Sequence, residues 1–322
     1  MTPVEKMAKR LLDRHNLKPP YDLETLVEIY ASVEYFHFPF EADGITIGIG
    51  GESKPQVLIN TSPPETRRKF TLAHELGHII IPWHTGTIVS HSFNADANVE
   101  YKEMEIEANL FAAELLIPSG WLQELQQSFS SVELFIKAVL VDTGASRDAV
   151  LIQAFKTINI PIVCAQVDSN GYLIRDYCTK IAPSPVLLNG RNLLEDKIFS
   201  MAYLEEDFIL GDRYYKSWTF DDKGIEEVDR REWRDILNQI LDETESRHLL
   251  QSINAVLASK YNSNKDHLSE KELCSLAMRA YDGKGKFDKI VVHPLFPQYI
   301  VKRIKELIAK YKRKGAGLTE SR

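Results

Sequence analysis

His74, Glu75 and His78 stand in the stretch "FTLAHELGHIII" (70–81), two imidazoles four residues apart with a carboxylate directly after the first. Residues i and i+4 of a helix share a face one turn apart, so His74 and His78 can aim at one ion. Zinc prefers nitrogen and sulfur ligands, accepts carboxylate oxygen, and in catalytic sites keeps one position open for water. Glu75 lies about 100° around the helix from His74, near such an open position, where a carboxylate can take a proton from water. The chemistry on offer is metal-assisted hydrolysis, and the plain alternative is a helix with two hydrogen-bonded or solvated histidines.

A metal site needs a third ligand. Glu103, Glu105, Glu107 and Glu114 fall on or near a second helical segment, "YKEMEIEANLFAAELL" (101–116). Met104, Ala108, Phe111, Ala112 and Leu115 form its apolar stripe. Glu107 sits at the edge of that stripe, where a half-buried carboxylate requires a positive partner, and zinc would be one. Glu103 shares a face with Glu107 and suits a supporting hydrogen bond to a ligand histidine. Glu105 and Glu114 read as solvated. His84, His91 and Tyr101 lie between the two motifs and are candidate donors to a developing oxyanion.

The histidines need a firm scaffold. Ser62 is a good N-cap, Pro63 fits the first helical position, Glu65 completes a Ser-x-x-Glu capping box, and Pro82 stops the helix, giving a span of about 63–80. Gly77 inside it costs about 1 kcal/mol relative to alanine, so a strand or second helix is expected to pass close by. Ahead of it, helices are expected at 4–16 and 19–32, the second capped by Asp22. "VEYFHFPF" (33–40), "GITIGIG" (44–50) and "QVLIN" (56–60) read as a small antiparallel sheet. Residues 83–99 read as a polar loop. Beyond the second motif, 130–159 reads helix, Gly144 turn, helix, a helix-turn-helix outline with Ser146 as cap, and 160–178 a hairpin turning at Asn170-Gly171.

Composition narrows the class. The chain has 322 residues, 44% hydrophobic and 26% charged, with a net charge of −7. That balance suits a globular protein of two modest domains and argues against a general nucleic-acid-coating role. No apolar run approaches the roughly 20 residues of a membrane helix, and "MTPVEKMAKRLLDRHNL" lacks the apolar centre of a signal peptide. Cys164, Cys178 and Cys274 are scattered as reduced thiols would be, so a cytoplasmic location is expected.

"RRKFTLAHELGHIII" followed by "EIEANLFAAELLIP" resembles the ImmA/IrrE family of metallo-endopeptidases, which pair an HELGH helix with a Glu-Ala-Asn-x-Phe-Ala-Ala helix ending in Leu-Leu-x-Pro. The lead-in "DGITIGI" and "VLINTSPPETRRKF" and the helix-turn-helix outline extend the likeness over about residues 1–180. This sequence has Ile117 before the proline where methionine is usual, an apolar exchange. The resemblance implies an α+β, zincin-like, gluzincin-type peptidase domain. It implies one zinc per chain on His74, His78 and Glu107, with Glu75 as general base. It also implies a substrate among helix-turn-helix transcriptional repressors, cleaved in a stress or mobile-element response.

Residues 181–322 resemble no family domain and read as a mostly helical module, with helices near 229–245, 246–260, 268–281 and 295–312 and a strand at 212–220, suited to binding or sensing. A second function class stays open: a non-catalytic partner-binding regulator with a structural zinc. Direct DNA binding through 130–159 is disfavoured. "SRDAVLIQAFKT" offers only Arg147, Gln153 and Lys156 as polar readers and carries an apolar stripe better suited to packing.

Overall fold

The structure, a computed structural model, describes residues 1–90, 99–183, 185–195, 198–199, 202–221, 227–281 and 283–319. It divides into two compact units, Met1–Ile158 and Asn159–Arg322. The division comes earlier than the expected boundary near 180. The hairpin after residue 160 pairs with later strands and so belongs to the second unit.

The first unit begins with α1 (Pro3–His15), closed at its start by a Thr2/Glu5 capping box, and α2 (Leu23–Tyr30), where the Asp22 side chain accepts from the backbone N–H groups of Glu24 and Thr25. Strands β1 (Ser32–Phe36), β2 (Gly44–Ile49) and β3 (Gln56–Asn60) follow, then α3 (Glu65–Ile80), β4 (Gly86–Ser90), α4 (Val99–Leu116), α5 (Ser119–Gln126), α6 (Val132–Thr143) and α7 (Arg147–Thr157). The sheet order is β1-β3-β2-β4. β2 pairs antiparallel with β3 and β4, whereas β1 joins β3 in parallel.

Two local expectations change. Residues 86–90, expected as polar loop, form β4 by hydrogen bonding along the open edge of β2, with Ile88 buried. The capping box at Ser62 does not form: α3 starts at Glu65 with Pro64 as N-cap and no side-chain cap. A residue before proline is kept out of the helical region, so Pro63 cannot be helical ahead of Pro64. Ser62 instead donates its backbone N–H to Asn60 Oδ1 (3.0 Å) and pairs its hydroxyl with His37 Nδ1 (2.8 Å).

The helix-turn-helix outline is built as expected. Gly144 takes φ 57° at the end of α6, and the Ser146 side chain caps α7. Two polar side chains of α7 are engaged within the unit. Gln153 is buried and donates to Glu114 Oε2 (3.2 Å), while Lys156 donates to Glu5 Oε1 (2.7 Å).

The second unit carries its own sheet. β5 (Ile162–Val167) and β6 (Leu173–Cys178) form the hairpin, and β7 (Ala202–Leu210) and β8 (Arg213–Phe220) complete an antiparallel order β6-β5-β8-β7. Helices α8 (Trp233–Glu243), α9 (Leu250–Asn264), α10 (Glu270–Arg279), the short α11 (Asp288–Val291) and α12 (Phe296–Thr319) follow. They pack round Ile236, Ile240, Ile253, Leu257, Tyr281 and Phe296. The module expected as mostly helical therefore adds its helices to a four-stranded sheet. No helix among the described residues is long and apolar enough to cross a membrane.

Candidate metal centre

α3 and α4 meet at small residues. A Cβ on Gly77 would lie 3.1 Å from Phe111 Cδ1 and 3.4 Å from the Cα and carbonyl oxygen of Ala108. This is the close approach that the interior glycine predicts. It brings the side chains one turn away on α4 against the histidines of α3.

Three ligand atoms then converge. His74 Nε2 and His78 Nε2 are 3.0 Å apart, and the Glu105 carboxylate stands 3.4 Å from the first and 3.3 Å from the second. His74, His78 and Glu105 are the group that could hold a metal ion among the described residues.

Glu105 rather than Glu107 occupies the third position. Residues two apart on a helix are separated by about 160° around its axis, so only one of these glutamates can face the histidines. Glu105 flanks Ala108 and Ala112 on the side toward α3. Glu107 flanks the opposite edge, where its Oε2 accepts from Trp83 Nε1 (2.6 Å) and from His84 Nε2 (3.1 Å). A signal for Glu105 was present in the sequence: Glu105 and Asn109 form an i,i+4 pair that mirrors His74 and His78, and Asn109 bonds to His74. The supporting role expected of Glu103 falls to other residues: Asn109 bonds to His74 and His84 bonds to His78. His91 lies outside the described residues.

The hydrogen bonds fix the protons on both rings. His74 Nδ1–H donates to Asn109 Oδ1 (3.0 Å). A carboxylate only accepts, so His84 must donate from Nε2 to Glu107. Neutral His84 is then an acceptor at Nδ1, and His78 donates to it from Nδ1 (2.9 Å). Burial lowers the pKa of His84 and brings His78 down to about 4, so both are neutral near pH 7. His78 Nε2 is left with a lone pair directed at Glu105.

The centre attracts positive charge. Burial opposes protonation of His74, yet the carboxylates of Glu105 and Glu75 and the bond to Asn109 raise its pKa overall. For Glu105, burial pushes upward, and the neighbouring His74 and His78 hold it down at about 2. Glu105 Oε1 has no hydrogen-bond partner although buried. Lone pairs and an anionic oxygen gathered around one point match a divalent cation such as zinc.

Glu75 is fully buried beside this group. Its Oε2 accepts from Thr46 Oγ1 (2.5 Å), while its Oε1 has no hydrogen-bond partner. Burial raises its pKa, with the neighbouring His74, Thr46 and Ser90 opposing. Gly44 makes room for it: a Cβ there would lie 2.4 Å from Glu75 Oε1. Neither Gly44 nor Thr46 stands out in the sequence, because both contribute through their place on β2 rather than through a motif.

Of the oxyanion candidates, His84 is turned to His78 and Glu107. Tyr101 donates its hydroxyl to the Val89 carbonyl, and burial and the neighbouring Glu105 raise its pKa. The centre opens into a cleft of about 270 Å³ lined by Asp43, Phe70, Thr71, Ser90 and Asn109. An apolar pocket of about 460 Å³ shares Arg67 and Phe70 with it and continues past Ala113, Leu116 and Ile152.

Residues 31–153 match the family model of the IrrE N-terminal-like domain, Peptidase_M78. The matched segment contains every residue of the centre described above. Among solved structures, a Mycobacterium tuberculosis transcriptional regulator aligns at 11% identity and a TM-score of 0.39, covering 69% of this chain and 77% of its own, too slight a likeness to argue from. No curated protein matches the chain.

Proposed function

We propose that this chain, which carries an IrrE N-terminal-like domain over residues 31–153, is a zinc-dependent endopeptidase. The observation that carries the reading is the convergence of His74, His78 and Glu105 beside a buried carboxylate, Glu75, whose Oε1 has no partner. His74, His78 and Glu105 would hold one zinc per chain, with Glu105 in the place expected of Glu107.

Zinc bound there would supply a Lewis acid and lower the pKa of a coordinated water to about 7. Glu75 acts as general base and then as acid, taking a proton at Oε1 and returning it to the leaving amine. Thr46 and Gly44 hold its carboxylate for this: one fixes Oε2, and the other leaves space for Oε1. The raised pKa of Glu75 suits a group that must both accept and release a proton. To steady the oxyanion, Tyr101 would have to turn its hydroxyl from the Val89 carbonyl to which it donates here. A peptide in the cleft could place an apolar side chain in the pocket beyond Phe70.

The substrate class, a helix-turn-helix repressor cleaved in a stress or mobile-element response, rests on the family resemblance, as does a role in transcription regulation. Direct DNA contact through α7 is not part of the reading, since Gln153 and Lys156 are engaged within their own unit. The proposal keeps the chain in the cytoplasm, where its three cysteines remain thiols.

The test is Glu75→Gln. Cleavage of a repressor substrate should fall by about 10²–10⁴-fold while zinc content stays near that of the wild type. Undiminished function in Glu75→Gln would favour the other class, a partner-binding regulator with structural zinc.

A further inference from the structure

His84 and Glu107 lie outside the ligand group, and the mechanism uses neither. They form a directed chain: Glu107 Oε2 accepts from His84 Nε2–H at 3.1 Å, and His84 Nδ1 accepts from His78 Nδ1–H at 2.9 Å. Trp83 Nε1 donates to the same Glu107 oxygen at 2.6 Å, which anchors the carboxylate at the start of the chain. His78 and His84 are both buried. Their ring centroids are 4.9 Å apart. A buried imidazole enclosed in this way has little freedom to turn.

The direction is forced at one end. Glu107 cannot donate as a carboxylate, so each neutral ring beyond it has its proton placed by the ring before. The last link leaves a lone pair on His78 Nε2, the atom that faces Glu105 (3.3 Å). Were the chain reversed or cut, His78 could carry its proton on Nε2 and present N–H to the centre, where a metal needs an electron pair.

We propose that His84 and Glu107 are positioning residues: a carboxylate–imidazole relay that sets the tautomer and aim of His78 and thereby the affinity of the centre for zinc. The inference rests on the proposed metal site but not on peptide cleavage. His74 receives the equivalent support from Asn109. The two ligand histidines thus have unlike supports, a neutral amide for one and a relayed carboxylate for the other.

The test measures zinc affinity by competition with a chromophoric chelator, together with the ¹⁵N shifts of the His78 ring in metal-free full-length protein. Wild type should show His78 protonated on Nδ1. His84→Ala and Glu107→Ala should weaken zinc binding by about 10–100-fold and lose that tautomer, whereas Glu105→Ala should abolish stoichiometric binding. His84→Asn, whose amide oxygen can accept from His78 Nδ1–H, should recover most of the affinity, which a purely space-filling role for His84 would not give. Wild-type affinity in both His84→Ala and Glu107→Ala would overturn the relay. So would stoichiometric binding lost in Glu107→Ala but kept in Glu105→Ala, since Glu107 would then be the ligand. A wild type that takes up no zinc overturns the endopeptidase reading and the affinity role together. Zinc binding that follows the relay, with function insensitive to Glu75→Gln, overturns the endopeptidase reading alone.

Discussion

The α3–α4 pair and the helical cluster of the second unit bury side chains under opposite rules. Around α3 and α4 the interior holds His74, Glu75, His78 and His84, with unpartnered oxygens on Glu75 and Glu105. In the second unit, α8 to α12 close on Ile236, Ile240, Ile253, Leu257 and Phe296, and Tyr281 donates its hydroxyl to the Ile253 carbonyl (2.7 Å). A polar atom buried without a partner costs free energy that apolar packing does not. In the first region such atoms gather with two imidazoles around one point, which suits a charge the region lacks by itself. The second cluster is arranged for stability, and its apolar interior names no ligand.

If that contrast holds, damage to the two regions will differ in kind. The largest stability effect belongs to the second cluster. Leu257→Ala removes a fully buried side chain and should cost about 2–5 kcal/mol. Hydrogen-exchange protection should fall in α8–α12 while zinc affinity is unchanged. Loss of zinc binding in a folded Leu257→Ala protein would break the comparison.

Gly44→Ala reverses the pattern. The added methyl would stand 2.4 Å from Glu75 Oε1, so the carboxylate must move. A misplacement of about 1 Å can cost about 10²-fold in rate. Peptide cleavage should drop by that order, with zinc content intact. Cleavage at the wild-type rate would show that Glu75 does not need the position it holds here.

A matched pair gives the finer test. Tyr281→Phe and Thr46→Val each remove one buried hydroxyl donor, to the Ile253 carbonyl and to Glu75 Oε2. Each should change stability by about 0.5–1.5 kcal/mol. Only Thr46→Val should lower kcat, because only that hydroxyl holds a group that must move a proton. Equal effects on kcat would mean that Thr46 is ordinary packing.

The same contrast explains what the sequence made legible. His74, Glu75 and His78 could be placed because helix spacing alone sets them on neighbouring faces. Gly77 foretold a close neighbour because its cost needed a reason. Glu105 rather than Glu107 meets the two histidines; apolar periodicity locates the buried stripe of α4 but not which edge of it faces α3. Glu105 looked solvated until the Gly77–Ala108 contact fixed the helix rotation. Gly44 and Thr46 were illegible, since they act through β2 reaching under α3, a contact between segments distant in sequence. β4 was read as loop because it supplies little apolar pattern and is held by pairing with β2. In the second unit α8, α9, α10 and α12 are readable from periodicity and the short α11 is not, whereas β7 exposes Tyr203 and Ile209 along with Glu205 and Asp207, so its alternation does not separate apolar from polar residues.

The smallest expected effect concerns the segment with the helix-turn-helix outline. Lys156 on α7 donates to Glu5 Oε1 of α1 at 2.7 Å, and Thr2 N–H donates to Glu5 Oε2 at 2.5 Å. Burial pushes the Glu5 pKa up, but the bonds to Lys156 and Thr2 outweigh it and hold the carboxyl below its ordinary 4.5. A carboxylate with a lowered folded pKa stabilises the fold fully above its unfolded value and loses that contribution as pH falls through the folded one. Lys156→Met should therefore reduce stability at pH 7, by under about 1 kcal/mol because the lysine is half exposed. The difference from wild type should shrink as pH drops below the ordinary carboxylate range. Hydrogen exchange at α1 and α7 across that range would read it, with α8–α12 as the internal control. A difference that stayed constant with pH would assign Lys156 to packing through its methylenes. A difference centred in α8–α12 would deny that the two units answer separately to their own charges.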